Sequence, residues 1–524
     1  MIGLMIFLYA AATAAFFVYF GFTVVKSMHM FQLNSYKAPT HIRWLGKNKG
    51  SLVPGLAAAA VTAVLLLSGI HRAVTLALMT AVYGVLAAVQ RPRKAKKPLV
   101  YTKRVIRMLV TTGLLVLLVG ACCALLMGDG AYLTAGAVLA AASPLLVLAA
   151  NFINKPVEAA INRYYINDAK KILRSCPDLL TIGVTGSFGK TSVKYILHTL
   201  LQAEYDVLKT PESYNTPMGV VKTVRSLLRA THRIFVCEMG ARHVGDIQEL
   251  CDIASPKMGI ITSVGPQHLE TFHSLENVQK TKFELEAALP ADGTIFLNLE
   301  DANIRSYLEH VKHPVVSYGL GDSCDYYATD ISASSRGTTF TVHTPGGDSA
   351  EFTTRMVGAH NVINIVGAIA VCCELGIPLA KLRGQVRKLE SVPHRLQLIR
   401  RGGITIIDDA FNANPTGARA AIDALALFDG CKILVTPGMV ELGEKQDELN
   451  RAFGAYAAKV CDYVMLVGKK QTQSIYEGLT QAGYPRERIF AEDKLQDALS
   501  RAYEADSGGK EKIILLENDL PDNF

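Results

Sequence analysis

The first 150 residues of this 524-residue chain contain a single acidic side chain, Asp129. Charge is sparse throughout, at 19% of residues against 50% apolar. The 10 cysteines include two adjacent pairs, Cys122–Cys123 and Cys372–Cys373, but no Cys-x-x-Cys. Each shortage excludes a class. A chain half apolar, with ordinary Gly and Pro contents, is neither disordered nor collagen-like. Scattered cysteines in apolar runs argue against a zinc ribbon or a small disulfide scaffold and read as reduced core thiols. No internal repeat or low-complexity tract is present.

The formal charge of +8 is unevenly spread. Residues 1–150 carry 14 Lys and Arg, for a net of +13, whereas residues 151–524 hold 40 basic and 45 acidic side chains, a net of −5. The basic excess belongs to the apolar part, so a nucleic-acid partner is not expected.

A bilayer-spanning helix needs about 20 mostly apolar residues. The segments 2–25, 51–69, 73–90, 105–127 and 131–150 meet or approach that length, which predicts a transmembrane bundle of five spans over 1–150. The first is too long for a removable signal peptide and lacks its cleavage context. The connections 26–50 (Lys26, Lys37, Arg43, Lys47, Lys49) and 91–104 (Arg91, Arg93, Lys94, Lys96, Lys97, Lys103, Arg104) are strongly basic. The other two connections, His71–Arg72 and Gly128 to Gly130 around Asp129, are short. The positive-inside rule then puts the N-terminus outside, both basic loops inside and everything after residue 150 in the cytoplasm. No span has a central charge, so the bundle reads as an anchor or lipid-facing platform of a multi-pass cytoplasmic-membrane protein, not a pore. Its basic inner loops favour anionic headgroups or a lipid phosphate.

Beyond a polar helical connector at 151–180, β-branched runs alternate with amphipathic stretches. Strands are predicted at 181–185, 233–237, 258–264, 294–297, 404–407, 432–436, 463–467 and 512–516. Helices are predicted at 192–201, 244–254, 275–289, 362–375 and 416–427. That alternation predicts doubly wound α/β sheets, with antiparallel hairpins over the Thr- and Ser-rich stretch 322–355. A boundary near 376–395 divides a nucleotide-binding central domain, 181–385, from a smaller α/β C-terminal domain, 386–524.

Gly183 to Ser192 (GVTGSFGKTS) lies between a predicted strand and a predicted helix. Backbone N–H groups of such a turn, with the helix N-terminus, converge on nucleotide phosphates. Lys190 supplies charge to the phosphates and the Thr191 hydroxyl suits Mg²⁺. Val184 stands where the general G-x4-G-K-[ST] pattern has its first Gly.

This loop resembles that of the Mur ligases, the ATP-dependent amide ligases of peptidoglycan precursor synthesis. Glu238 to Arg242 (EMGAR), Ser263 to Glu270 (SVGPQHLE) and Gly358 to Asn364 (GAHNVIN) follow in the family's order. Asp408 to Pro415 (DDAFNANP) and Gly438 to Gly443 (GMVELG) resemble the member that adds D-alanyl-D-alanine. The resemblance implies a P-loop ATP-binding domain holding ATP through Thr185, Gly186, Ser187, Gly189, Lys190, Thr191 and Ser192. Asn361 and Asn364 would flank adenine, and Arg395 and Asp409 would reach the nucleotide from the C-terminal domain. Thr191 and Glu238 would hold one Mg²⁺; Glu238, His268 and a carbamylated lysine would hold a second. Lys282 matches the modified position, with Lys280 as the alternative. Lys190, Glu238, His268 and Lys282 would thus be the catalytic set. The plain readings are helix caps for Asn361 and Asn364, a solvated lysine for Lys282, a satisfied histidine for His268 and a structural turn for Asp408–Asp409. The loop Tyr214 to Gly219 (YNTPMG) is either a simple turn or a substrate or metal contact.

Two departures bear on the substrate. The membrane bundle stands where the family has a domain gripping the UDP moiety, and the chain ends in the acidic ENDLPDNF where the D-alanyl-D-alanine-adding member has a Lys-Gly-Ser-Arg-type segment. The expectation is therefore a membrane-embedded, ATP-dependent amide ligase acting on a lipid-linked or membrane-delivered cell-wall precursor. Its amine partner would be an amino acid or dipeptide, and a membrane protein partner would fit. The alternatives are an anchored ligase using the UDP-linked tripeptide, a poly-γ-glutamate-type synthetase and a non-catalytic nucleotide-binding scaffold.

Overall fold

The structure, a computed structural model, describes residues 2–34, 36–68, 70–92, 98–127, 135–136, 138–139, 141–411 and 413–518. The expected loop cations Arg93, Lys94, Lys96 and Lys97, the turn around Asp129, Asn412 and the tail 519–524 lie outside them. The chain divides into two compact units, one within Met1–Arg163 and one within Tyr164–Leu520.

The first unit is helical: α1 (Ile2–Leu33), α2 (Ala38–Lys47), α3 (Val53–Leu67), α4 (Arg72–Gln90), α5 (Lys103–Met127) and the start of α6 (Ser143–Arg174). Aromatic rings lock α1 to α4. Phe16 meets Tyr83 edge-on at 5.4 Å, Tyr19 stacks on it at 5.9 Å, and the Tyr83 hydroxyl lies 2.6 Å from Thr62 Oγ1 on α3. Among the described residues three helices, α1, α4 and α5, are long and apolar enough to cross a membrane. Five spans were expected. The α3 helix, at 15 residues, is shorter than a typical span, and 131–150 is only partly described. From Ser143 that run continues without a break to Arg174, so the connector expected at 151–180 is largely the same helix. The α1 helix passes Lys26 and ends at Leu33, which puts Lys26 inside a helix and not in a loop.

The second unit contains two sheets. The first has nine strands: β1 (Leu180–Thr185), β2 (Val207–Lys209), β3 (Ile234–Glu238), β4 (Met258–Ile261), β5 (Thr294–Asn298), β6 (Val315–Gly319), β7 (Tyr326–Ser334), β8 (Gly337–His343) and β9 (Ser349–Thr354). Their spatial order is β2-β3-β1-β4-β5-β6-β7-β8-β9. Pairing is parallel from β2 to β7 and antiparallel across β7-β8-β9, the hairpins expected at 322–355. Central strands of a parallel sheet are covered on both faces, and every residue of β1 after Leu180 is buried accordingly. Helices α7 (Lys190–Leu201), α8 (Pro217–Leu227), α9 (Asp246–Ala254), α10 (Leu275–Ala287) and α11 (Ala359–Glu374) supply that cover. The strand expected at 258–264 stops at Ile261, because 262–265 leaves the sheet to bind the phosphate loop.

The second sheet runs β10-β11-β15-β12-β13-β14, with β10 (Gln397–Arg401) antiparallel to β11 (Ile404–Asp409). The parallel strands are β11, β12 (Cys431–Thr436), β13 (Tyr463–Val467), β14 (Ile489–Glu492) and β15 (Lys512–Glu517). Helix α12 (Pro415–Ala426) packs on β15, and helices 446–457 and 473–481 cross at two glycines. A Cβ on Gly478 would lie 2.0 Å from the Arg451 carbonyl oxygen, and one on Gly454 2.3 Å from that of Ile475.

At the carboxyl end of this sheet Glu517 is buried, with only the Thr436 hydroxyl donating to Oε2 at 2.9 Å and Oε1 unpartnered. Burial, with Asp409 beside it, pushes its carboxyl up to about 8.

Two predictions follow from these contacts. Gly478→Ala should force the two helices apart, at about 1–3 kcal/mol, read as a lowered thermal midpoint of the full-length protein in detergent. For Glu517 the folded state holds its proton more tightly than the unfolded chain, so stability falls as pH rises from the ordinary carboxyl value, 4.5, through about 8. Glu517→Gln should therefore match the native protein at about pH 5 and exceed its thermal midpoint at about pH 9. Equal pH dependence of the two proteins would refute the buried, uncompensated carboxyl.

Candidate active site

The phosphate loop joins β1 to α7 and is strapped to the segment after β4. Ser187 N–H donates to the Ser263 carbonyl at 2.8 Å, Phe188 N–H to Ser263 Oγ at 2.7 Å, and Gly265 N–H to Ser187 Oγ at 3.0 Å. The glycines are sterically required. A Cβ at Gly186 would fall 2.1 Å from Thr262 Oγ1, and one at Gly189, where φ is +83°, would fall 2.9 Å from Asn364 Oδ1. Gly189 is the N-cap of α7, so the amides of the first helical turn, Lys190 and Thr191 among them, have no intrahelical partner. That arrangement accepts an anion. The Lys190 ammonium folds back onto the Gly186 carbonyl at 2.6 Å. Burial lowers it to about 8, opposed by nearby Glu238.

Glu238 ends β3 at 1% exposure, and three side chains converge on it. Oε1 accepts from Thr191 Oγ1 and from Asn215 Nδ2, both at 3.1 Å. Oε2 lies 2.8 Å from the fully buried Lys194 ammonium, an ion pair without hydrogen-bond alignment, so this oxygen receives no hydrogen bond. The loop Tyr214 to Gly219 thus reaches the carboxylate through Asn215, and Gly240 has no Cβ because Asn215 lies where it would be. Sequence reasoning did not single out Lys194, whose spacing in an amphipathic helix looks like that of any surface lysine.

His268 lies after β4 and donates from Nδ1 to Glu441 Oε2 at 2.5 Å, with Arg242 3.7 Å from Oε1. Burial lowers the His268 pKa, while the hydrogen bond from His268 lowers that of Glu441. With Nδ1 donating, Nε2 is the nitrogen left to accept in the neutral form that burial favours. Glu441 was noted only as part of GMVELG. Of the two lysines weighed, Lys280 is exposed and paired to Glu276 at 2.7 Å. Lys282 is 1% exposed, with no hydrogen-bond or ion-pair partner among the described residues. Burial, reinforced by Lys190, pushes its amine well below the usual lysine range.

Other expected residues have structural partners. The Thr185 hydroxyl donates to the Met239 carbonyl at 3.0 Å, and Asn361 Nδ2 donates to the Val357 carbonyl at 2.9 Å, tying the side chain to its own helix start. Ser192 is half-buried in the first turn of α7. Asn414 caps α12, accepting from Gly417 N–H at 2.9 Å. Asp408 meets His394 at 2.8 Å, and Asp409 accepts from Leu396 N–H at 3.2 Å. Burial raises Asp409 to about 6 against the pull of Arg395. The Arg395 guanidinium stacks over Phe411 at 4.4 Å and is electrostatically coupled to Lys190 and Glu238.

The oxygen donors Thr191 and Glu238 suit Mg²⁺, which binds through one or two carboxylates plus phosphate oxygens and keeps several waters. Among the described residues no three His, Cys, Asp or Glu side chains gather into a metal cage. The donor set fits a cation brought with a phosphate, not one held by protein alone.

Residues 184–372 match the Mur ligase middle domain, and residues 394–516 match the Mur ligase glutamate ligase domain. The UDP-N-acetylmuramoyl-tripeptide–D-alanyl-D-alanine ligase of Bacillus subtilis is 35% identical over 278 residues, which are 52% of this chain and 59% of that protein. The Haemophilus influenzae ligase of the same name is 33% identical over 56% of this chain and 65% of its own length, so the chain spans about six tenths of these relatives. The crystal structure of MurF from Thermotoga maritima in complex with ADP superposes with a TM-score of 0.61 at 25% identity, covering 68% of this chain and 80% of that one. Both domain matches lie C-terminal to the apolar helices. Through its middle and C-terminal domains, this chain belongs to the Mur ligase family.

Proposed function

We propose that the protein is a membrane-embedded, ATP-dependent carboxylate–amine ligase. Its nucleotide would be handled within 181–385 and closed over from 386–524. The observation that carries this reading is the convergence of Thr191, Asn215 and Lys194 on the buried Glu238 beside a glycine-built phosphate loop.

A substrate carboxylate oxygen attacks the γ-phosphorus of ATP, the bond to the β–γ bridging oxygen breaks, and ADP leaves. The amine then attacks the acyl carbon, loses a proton and expels phosphate, leaving an amide. Lys190 and the amides of the first helical turn meet the charge spread over the phosphoryl oxygens. Thr191 and Glu238 would hold Mg²⁺, which when bound neutralises phosphate charge. His268, oriented by Glu441 through Nδ1, would offer Nε2 to the same region. Burial favours the neutral form of the Lys282 amine, the form that adds CO₂, and the resulting carbamate would supply an oxygen donor for a second Mg²⁺. Asn364, beside Gly189, together with Arg395 and Asp409, is assigned to the nucleotide. Asn361 and Thr185 support the backbone around it.

The apolar helices favour a lipid-linked or membrane-delivered carboxylate substrate, with the ligase domains on the cytoplasmic face and the N-terminus outside. A second reading rests on the printed activity of the relatives: the substrate is the soluble UDP-linked tripeptide, the amine is D-alanyl-D-alanine, and the helices are an anchor.

ADP release by the full-length protein in detergent, with D-alanyl-D-alanine and either form of the tripeptide, tests both. Activity with the lipid form alone supports the first reading, and activity with the UDP form supports the second. Release that needs no carboxylate would defeat the ligase assignment itself. Lys190→Ala should reduce the rate by about 10²-fold or more. In CO₂-depleted buffer the native rate should fall and recover with bicarbonate, as should that of Lys280→Ala. A native enzyme indifferent to bicarbonate would remove the carbamate at Lys282.

A further inference from the structure

The apolar unit contains a pocket, apolar over most of its wall, whose polar groups the ligase chemistry does not use. It is lined by Lys26 and Ser27 of α1, His41 and Trp44 of α2, Gln90 at the end of α4 and Ser143 at the start of α6. Helix α2 folds back on α1, with His41 edge-on to Phe31 at 5.0 Å and stacked on Trp44 at 5.8 Å.

Its hydrogen bonds are unbalanced in one direction. Asn34 Nδ2 lies 3.1 Å from His41 Nδ1, and an amide nitrogen only donates, so Nδ1 accepts and the proton of the neutral ring sits on Nε2. That Nε2 is buried and has no partner. The Lys26 ammonium uses one of its three donors on Gln90 Oε1, at 3.0 Å. The Trp44 indole N–H has no hydrogen-bond partner among the described residues. Ser27 Oγ donates to the Thr23 carbonyl at 2.8 Å and lies 3.3 Å from Ser143 Oγ. Among the described residues no carboxylate lines the pocket, and the sequence of residues 1–150 has only Asp129. Unused N–H groups of Lys26, His41 and Trp44 therefore belong to a pocket whose side-chain acceptors are the neutral oxygens of Gln90, Thr23, Ser27 and Ser143. A lysine at its mouth with spare N–H groups suits an anion.

Depth identifies the source of the anion. At about 1.5 Å per residue, Lys26 lies roughly 36 Å along α1 from Ile2, just past a hydrocarbon core about 30 Å thick. Lys26 itself is exposed at the side of the bundle. The pocket thus opens at headgroup level. Four N–H donors are free, two on Lys26 and one each on His41 and Trp44, and the three terminal oxygens and greater charge of a monoester or diphosphate meet them better than the single charge of a phosphodiester.

We propose that the pocket around Lys26, His41 and Gln90 binds the monophosphate or diphosphate headgroup of a lipid. The proposal rests on the membrane placement given above and deepens it by naming the chemistry through which a lipid-linked molecule is held. It does not depend on ATP or on ligation, so a failure of either assignment is distinguishable from a failure of the other.

Trp44 is the single tryptophan of the chain, so intrinsic fluorescence of the unmodified full-length protein reports on this pocket. In a neutral detergent, dodecyl phosphate should produce a saturable change that dodecanol, phosphatidylglycerol and inorganic phosphate at the same concentration do not. Lys26→Met should weaken the apparent affinity about tenfold or more, as expected when a charged hydrogen bond is lost. His41→Phe, which keeps the ring packing and removes the donor, should weaken it in the same direction. If His41→Phe does not fold, the exposed Lys26 still decides the matter. The proposal is overturned by no saturable change, by an equal response to dodecanol or phosphatidylglycerol, or by an affinity unchanged in Lys26→Met. An equal response to inorganic phosphate overturns the lipid assignment.

Discussion

The site depends on one carboxylate, Glu238, buried at 1% exposure. A buried charge without partners costs several kcal/mol. Here the compensation comes from three directions: a hydroxyl from the first turn of α7, an amide from the loop before α8, and the Lys194 ammonium one turn further along α7. Those contacts fix the separation between β3 and α7, and so the distance between the carboxylate and the phosphate loop. Burial of Lys194 is the counterpart of burial of Glu238, since neither charge is tolerable in that core alone. The pair therefore sets the geometry of the loop as well as the charge of the site.

What was legible in the sequence is what is local. A strand, a glycine turn, a lysine, a hydroxyl and a helix occupy adjacent positions, so the phosphate loop could be placed before any coordinates, as could the hairpins at 322–355. Partners brought together by the sheet were not legible. Nothing in the pattern of α7 separates Lys194, fully buried, from an ordinary amphipathic lysine. Asn215 lies in a loop whose role depends on where β3 ends. Thr185 and Asn361 show the reverse: they sit within the right motifs, yet their side chains are tied to the backbone. Residue type and spacing specify which groups are near the site. Only packing decides which of them are free.

The apolar unit shows a similar limit. Hydropathy ends the first span at Lys26, because a charge closes the window. The helix continues to Leu33 because Lys26 finds a neutral acceptor in Gln90 and the chain beyond it folds α2 back over its own end. A charge that marks a boundary in the sequence marks a polar pocket in the structure. The near absence of acids from residues 1–150 also leaves few carboxylates to neutralise the cations of this unit: Arg107 pairs with Glu158 on α6, whereas Lys26 meets the neutral Gln90.

The contact between His268 and Glu441 links the two sheets of the ligase unit and carries stored strain. Both residues have left-handed backbones, with φ of +51° and +63°. Such conformations cost on the order of 1–3 kcal/mol each in residues other than glycine and persist only where the surroundings over-determine them. Here the support includes the 2.5 Å contact between their own side chains, one from the loop after β4 and one from the loop after β12, and the Thr271 and Phe272 N–H groups, which donate to the His268 carbonyl at 2.9 and 3.0 Å. Separating the sheets would break the side-chain hydrogen bond. The cost of the two backbones offsets part of the attraction that the contact supplies. The proposed reaction, with two substrates and a nucleotide to admit, would be served by a contact of modest net strength between the sheets.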